Sequence, residues 1–421
     1  MRSERTALNG DPSTLAAQLR ALAPGAASVG AAVAEIVASV RERGDAALIE
    51  YTRRFDTGGL APVSIAVSDD ELDAAAASLD PAVRAGLERA IENVGVVARA
   101  GLREDRTVDL GGHRVILREP PVGRAGIYVP GGRAPYPSTV VMGVVTARVA
   151  GVEEVAVCAP PGGDGHIDST VLAACRLAGA STAYAIGGAQ AVAALAYGTE
   201  TVTPVDVIAG PGNLYVQEAK HQVSGDVAID GFAGPSDLFI VAAGDAHPAP
   251  LALDLLAQAE HGPGTLVVAA SPARGLLDAI QSRLAKGAET GAVARLVDTD
   301  DVAQALELAQ AFAPEHLELV GEDAEALAPR VTRAGCLLVG PGSATAFGDY
   351  IAGSNHILPT GGAARFASGL STAHFRRRMS EVRIEDAASE LARLAAPVAR
   401  AEGFELHARS MEARIRDNGS A

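Results

Sequence analysis

Cysteine is scarce in this 421-residue chain: there are three, Cys158, Cys175 and Cys336, with no CxxC spacing. An odd count scattered over a long chain argues against a disulfide framework and fits a reducing compartment. Cys158 lies in an apolar run and Cys175 on an amphipathic helix, so both read as inert core thiols, because a reactive thiol needs an exposed, electropositive setting. Positive charge is also short. Lys plus Arg number 35 against 51 Asp plus Glu, a net charge of −16. The one tight basic cluster, Arg376-Arg377-Arg378, reads as a solvated helix face, and nucleic acid is excluded as the target. Long apolar runs are missing too: Arg148 breaks the best candidate, Val140 to Val152, so no membrane span is expected. Glu4 and Asp11 stand where a signal peptide would need apolar residues. The expectation is a soluble, cytoplasmic protein.

What is present can fill a large core. Apolar residues make up 48% and charged ones 20%, with 46 glycines, and at about 150 residues per domain the length suggests two to three domains. Residues 1 to about 105 read as helical, with apolar residues three and four apart in Leu15-Ala-Ala-Gln-Leu-Arg-Ala-Leu and in the run from Ala31 to Val40. Asp80-Pro81 marks a helix start. From about residue 113 short apolar runs alternate with helical segments. One series holds strands at Ala125-Gly-Ile-Tyr-Val-Pro, Glu154-Val-Ala-Val-Cys-Ala, Thr182-Ala-Tyr-Ala-Ile and Asp206-Val-Ile-Ala. A second holds Leu238-Phe-Ile-Val-Ala, Thr265-Leu-Val-Val-Ala-Ala, a strand around 292–297, His316-Leu-Glu-Leu-Val and Cys336-Leu-Leu-Val. Two successive βα series predict an α/β fold of two Rossmann-like, mainly parallel sheets, flanked by helical N- and C-terminal segments. Right-handed crossovers then put the ligand-binding loops after the strand C-termini. The last stretch, about 384–417, reads as helical, interrupted by Pro397 and Gly403.

Several short motifs carry polar chemistry, each with a plain alternative. In Gln258-Ala-Glu-His261 the amide oxygen and the imidazole share a helix face and supply half of a zinc site, or His261 merely caps the helix. Gly348-Asp349-Tyr-Ile-Ala-Gly-Ser-Asn-His356 suits a ligand loop or a simple turn. Glu315-His316 joins a helix to a strand and suits acid/base work, but adjacent strand residues face opposite ways, so convergence requires the turn. Ser236, behind Gly234-Pro235, either bonds a ligand or caps a turn. Glu402-Gly-Phe-Glu-Leu-His407 brings its ends together only where Gly403 breaks the helix. Gly187-Gly188-Ala-Gln190 and Gly210-Pro-Gly-Asn213 follow strands and open helices, where backbone N–H groups favour phosphate, yet neither is the GxGxxG fingerprint.

Taken together the set resembles the histidinol dehydrogenase family. The matching segments run in family order from Gly126-Ile-Tyr-Val-Pro-Gly-Gly132 through Ala185-Ile-Gly-Gly-Ala-Gln-Ala191, Ala209-Gly-Pro-Gly-Asn213 and Gly234-Pro-Ser-Asp237. They continue through Gln258-Ala-Glu-His261, Ala313-Pro-Glu-His-Leu317, the stretch from Gly348 to Thr360, and Glu402 to His407. The resemblance implies oxidation of L-histidinol to L-histidine through histidinaldehyde, with two NAD per turnover and one zinc ion per subunit. It makes Gln258, His261, Asp349 and His407 the zinc ligands and Glu315 and His316 the proton-transfer residues. Ser236, His316 and Glu402 join those ligands in contacting substrate, while Tyr128, Gln190 and Asn213 contact NAD. It further implies a homodimer with shared active sites, into which Glu402 and His407 reach from the partner. Residues 1–25 then form a helical arm, and 26–125 with 237–380 a first α/β domain. Residues 126–236 form a second α/β domain on the NAD side, and 381–421 a C-terminal helical region. Gly361-Gly-Ala-Ala-Arg365 and His374 match only loosely and receive no role. A zinc hydrolase, a non-catalytic metal- or nucleotide-binding protein, and a relative acting on another amino alcohol remain as alternatives.

Overall fold

The computed structural model describes residues 1–23, 29–60, 64–131, 134–231 and 234–416. Gly132 of the first motif and the expected 25/26 domain boundary lie outside them. The chain divides into two units, Met1–Gly101 with Val122–Phe375, and Leu102–Pro121 with Arg376–Ala421.

The first unit is built on two parallel sheets. One uses β1 (Ser3–Ala7), β9 (Asp237–Ala242), β10 (Leu266–Ser271), β11 (Val293–Asp298), β12 (His316–Val320) and β13 (Cys336–Val339), in the order β1-β11-β10-β9-β12-β13. The other uses β4 (Arg124–Tyr128), β5 (Glu154–Ala159), β6 (Thr182–Ala185), β7 (Val207–Ala209) and β8 (Ala228–Ile229), in the order β6-β5-β4-β7-β8. β9 is buried along its whole length, as a Leu-Phe-Ile-Val-Ala run must be when helices cover both faces of a sheet. This is the α/β architecture expected from the βα rhythm. In both sheets the strand order reverses, between β9 and β12 in the first and between β4 and β7 in the second.

The N-terminal hundred residues depart from the all-helical expectation. β1, Ser-Glu-Arg-Thr-Ala, pairs in parallel with β11. Its polar, partly exposed side chains carry neither a helix nor a strand period; the pairing partner 291 residues away (Ser3 opposite Ala294) supplies the order. The helix Pro12–Arg20, capped by Asp11, then packs Leu19 and Ala16 into the core with Phe239 and Phe312. The later helices side with the other sheet, not with 237–380 as expected. Val33, Ile36, Val40, Leu48 and Tyr51 bury against Tyr128, Ile186, Leu195 and Ile208. Leu72, Leu87 and Val94 join Ile127 and Val141. Without these helices the β4–β8 sheet would leave apolar surface uncovered.

The second unit adds a three-stranded antiparallel sheet that the composition did not announce: β2 (Arg106–Asp109), β3 (His113–Arg118) and β14 (Met379–Ile384), ordered β14-β3-β2. The arginine cluster leads into β14 instead of lying on a helix, with Arg378 paired to Glu119 at 2.8 Å. The helix Ala388–Ala401 runs through Pro397 unbroken, holding Ala392 and Ala396 inward. Gly403, at φ +83°, ends the turn before the helix Glu405–Glu412.

Cys158, Cys175 and Cys336 are unpaired. Burial pushes the Cys158 thiol up and that of Cys175 up to about 12, as inert core thiols require. No described helix is long and apolar enough to cross a membrane.

Candidate active site

The two sheets present opposite edges. At the β4–β8 sheet the candidate residues follow strand C-termini, as expected: Tyr128 ends β4, Gln190 follows β6 and Asn213 follows β7. At the other sheet they gather at the N-terminal edge, which corrects the expectation. Asp237 opens β9 behind Ser236, and His316 opens β12 behind Glu315. The cause is connectivity. The helix Pro248–Ala259 returns from the far end of β9, so its C-terminal end brings Gln258 and His261 back to where β9 began.

Glu315 sits in the turn, so it and His316 converge as the adjacent-residue constraint demands. Its Oε2 accepts from Ser236 Oγ at 2.5 Å and from Asp237 N–H at 2.9 Å, while its own N–H donates to Asp237 Oδ1 at 2.8 Å. Burial dominates its titration and pushes the carboxyl up, with Asp237 adding to the rise and His316 opposing it. Glu315 Oε2 lies 3.8 Å from His316 Nδ1. His316 Nε2 donates to Asp349 Oδ1 at 3.2 Å. Burial alone would lower the imidazole, but Glu315, Asp349 and Asp237 outweigh it and make His316 a stronger base than free imidazole. Its Nδ1 is buried with no hydrogen-bond partner among the described residues. Such an atom suits a proton taken from a bound alcohol.

Asp349 belongs to the helix Thr345–Tyr350. Glu318 Oε1 accepts from the Thr345 N–H at 3.0 Å and from its hydroxyl at 2.6 Å, fixing that helix start to β12. The Asp349 carboxyl is desolvated, yet its bond to His316 and the nearby His356 and His261 hold it below the usual range. His356 joins the halves: its Nδ1 donates to the Asp349 carbonyl at 2.8 Å, and its Nε2 accepts from Thr139 Oγ1 at 3.2 Å, on the helical segment after β4.

The sequence reading gave Arg20 and Asp237 no role. Arg20 donates to the carbonyls of Phe312 (2.8 Å) and Ala313 (2.9 Å) and to Asp237 Oδ2 (2.5 Å). This braces a turn in which Ala313 takes the left-handed conformation, φ +51°, immediately before Pro314 and Glu315. An alanine there is strained by about 1–2 kcal/mol, and the brace holds Glu315 and His316 where they are.

Gln258 Nε2 donates to Ser236 Oγ at 2.5 Å, which leaves the amide oxygen as the donor atom for a cation. That oxygen, an imidazole and a carboxylate form an N/O set suited to zinc with a fourth position to fill. His407 and Glu402, by contrast, belong to the second unit. Among the described residues no group of three or more His, Cys, Asp or Glu side chains is arranged to hold a metal ion. In the first unit the expected set contributes only two such residues, His261 and Asp349.

At the β4–β8 sheet the Gly188 N–H donates to Tyr128 Oη at 3.1 Å. Asn213 caps its helix by accepting from the N–H groups of Tyr215 and Val216. Gln190 Nε2 donates to Asp56 Oδ2 at 3.3 Å, and Asp56, which no motif marks, is pushed up to about 6 by burial. Its folded pKa exceeds its unfolded one of about 3.9, so stability falls as pH rises through that window and the penalty is fully present above it. Asp56→Asn keeps an oxygen to accept from Gln190 Nε2 and removes the charge. It is expected to stabilise the chain, by about 1 kcal/mol more at pH 8 than at pH 5. Urea unfolding at the two pH values reads this directly; an equal effect at both would place the Asp56 carboxyl in water.

A family model for histidinol dehydrogenase matches residues 23–415. The chain belongs to the histidinol dehydrogenase family. Members are NAD-dependent oxidoreductases, so the chain is an enzyme of that class. The histidinol dehydrogenase of Parasynechococcus marenigrum is 44% identical over 393 residues, covering 90% of each chain. That of Cereibacter sphaeroides is 44% identical over 400 residues, covering 92% of each. The crystal structure of histidinol dehydrogenase from Elizabethkingia anophelis superposes with a TM-score of 0.88 at 30% identity, covering 99% of this chain and 98% of that one. The family's fold therefore extends over both units.

Proposed function

We propose that this chain carries out the last two steps of histidine biosynthesis, oxidising L-histidinol to histidinaldehyde and then to L-histidine with two NAD, in the cytoplasm and as a zinc-dependent homodimer. The observation that carries this reading is the convergence of Glu315, His316 and Asp349 beside the helix end bearing Gln258 and His261. A redox enzyme of this family needs a base for an alcohol proton and a second group to activate water, and the pair supplies both.

Gln258, His261 and Asp349, with the partner subunit's His407, would hold one zinc ion. Bound there, zinc would supply a template and electrostatic stabilisation for the substrate's nitrogens. Ser236 and the partner subunit's Glu402 would complete substrate binding, and Tyr128, Gln190 and Asn213 would seat NAD, the hydride acceptor. His316 Nδ1 takes the alcohol proton as hydride leaves the carbon. Glu315, held by Ser236 and Asp237, then takes a proton from water as it adds to the aldehyde carbon. The protonated His316 returns its proton to the aldehyde oxygen as the hydrate forms, and is then free to take a hydroxyl proton of that hydrate during the second hydride transfer, to the second NAD.

The dimer accounts for polar site residues standing on a terminal helix. The second unit also exposes Val382, Ile384, Leu394, Val398, Phe404 and Leu406, an apolar surface that a second copy would cover. Counting NADH formed per histidinol consumed tests the reading. Two equivalents are expected, abolished by a chelator and restored by zinc. Turnover without NAD would favour a hydrolase and overturn the assignment.

A further inference from the structure

We propose that Lys220 and Asp230 are positioning residues for the dinucleotide, acting through the backbone of Gly210; this rests on the NAD reading above. Lys220 has 1% of its surface exposed, an unusual burial for a lysine, and forms an ion pair with Asp230, itself almost fully buried. A buried ion pair is a poor source of stability, because desolvating two charges offsets most of their attraction, and an apolar pair of similar volume packs as well. Its value must lie in what it touches.

Both members grip one glycine. The Gly210 carbonyl accepts from Lys220 Nζ at 3.0 Å, and the Gly210 N–H donates to Asp230 Oδ2 at 2.7 Å. These groups leave the sheet just past β7, at the point where the strand order reverses. Gly210 has φ +126°, and a Cβ there would run into the Tyr128 carbonyl oxygen. The clamp therefore presses the loop onto the last residue of β4. Lys220 projects from the helix that Asn213 starts, so the loop 210–213 is closed at both ends: by Asn213 into its own helix, and by Lys220 from that helix back to Gly210. Asp230 ties the ring to the end of β8. Tyr128 continues the chain of contacts to Gly188, and so to the helix bearing Gln190. All three expected NAD contacts are thus registered against one another by a pair that would touch no cofactor atom.

The test compares the dimeric parent with Lys220→Met and with the double variant Lys220→Met/Asp230→Leu. The single change strands a buried carboxylate and is expected to lower thermal stability. The double change removes both charges and is expected to melt above the single variant, though below the parent because the Gly210 N–H and carbonyl lose these partners. NADH affinity, from titration of nicotinamide fluorescence, is expected to weaken about tenfold in the double variant, the weight of one charge-assisted hydrogen bond. KM for NAD should rise in parallel, while KM for histidinol stays within about twofold of the parent. A double variant that folds and binds NADH as tightly as the parent would overturn the inference. So would equal changes in both KM values together with kcat, the signature of a general structural role. A parent that binds no NADH would instead remove the NAD reading itself, and the inference with it.

Discussion

Glu315→Gln is expected to separate the two oxidations. The amide retains the shape of the carboxyl and an oxygen to accept from Ser236 Oγ and the Asp237 N–H, so the turn after Ala313 keeps its hydrogen bonds. What it loses is a proton acceptor. Burial has raised this carboxyl toward neutrality, where a general base combines adequate basicity with a useful ionised fraction. The alcohol step relies on His316 and should fall by no more than about tenfold. The aldehyde step needs an activated water and should fall by about 10²–10⁴-fold, the usual weight of a positioned base. Stopped-flow formation of NADH from histidinol and, separately, from histidinaldehyde measures each step. In the variant a single turnover should yield one NADH promptly and the second slowly. Equal losses in both steps would contradict the division of labour between Glu315 and His316.

Much of this arrangement was legible in the chain itself, for reasons that differ by element. The buried strands β9 and β10 announce themselves because helices cover both faces of their sheet and nearly every residue is apolar. The polar motifs are legible as a set because each stands at an element boundary, where backbone geometry limits which residues can serve. β1, β2, β3 and β14 were not. All but β1 lie in the second unit, with exposed or half-buried side chains that show no burial period; β1 and β14 pair with strands distant in sequence, while β2 and β3 form a local hairpin. Arg20 and Asp237 are 217 positions apart, and Asp56 and Gln190 are 134 apart; such pairs exist only once the chain is folded. The opposite placement of the two polar edges was accessible in principle. Gln258 and His261 end a helix that follows β9, and a returning helix must finish beside the strand's beginning.

The same folding logic bears on the boldest part of the account, that a working site is completed by a second copy. Glu402 and His407 flank the break at Gly403, and the His407 ring lies 5.1 Å from that of Phe404. They sit in a unit built from residues 102–121 and 376–421, separate from the one carrying Glu315. If each site takes Glu315 from one copy and His407 from the other, Glu315→Gln and His407→Ala are each nearly inactive in steady-state turnover but complementary. A hybrid dimer holds one site with both defects and one with neither. Random exchange of equal amounts makes half the dimers hybrid, so about a quarter of parental activity should return. The measurement is histidinol-dependent NADH formation after mixing the two variants, with subunit exchange verified by mass-tagged copies. Recovery near a quarter of the parental rate is the expected result. Verified exchange with no recovery would put His407 in its own subunit's site or outside any site, and the shared metal centre would have to be abandoned.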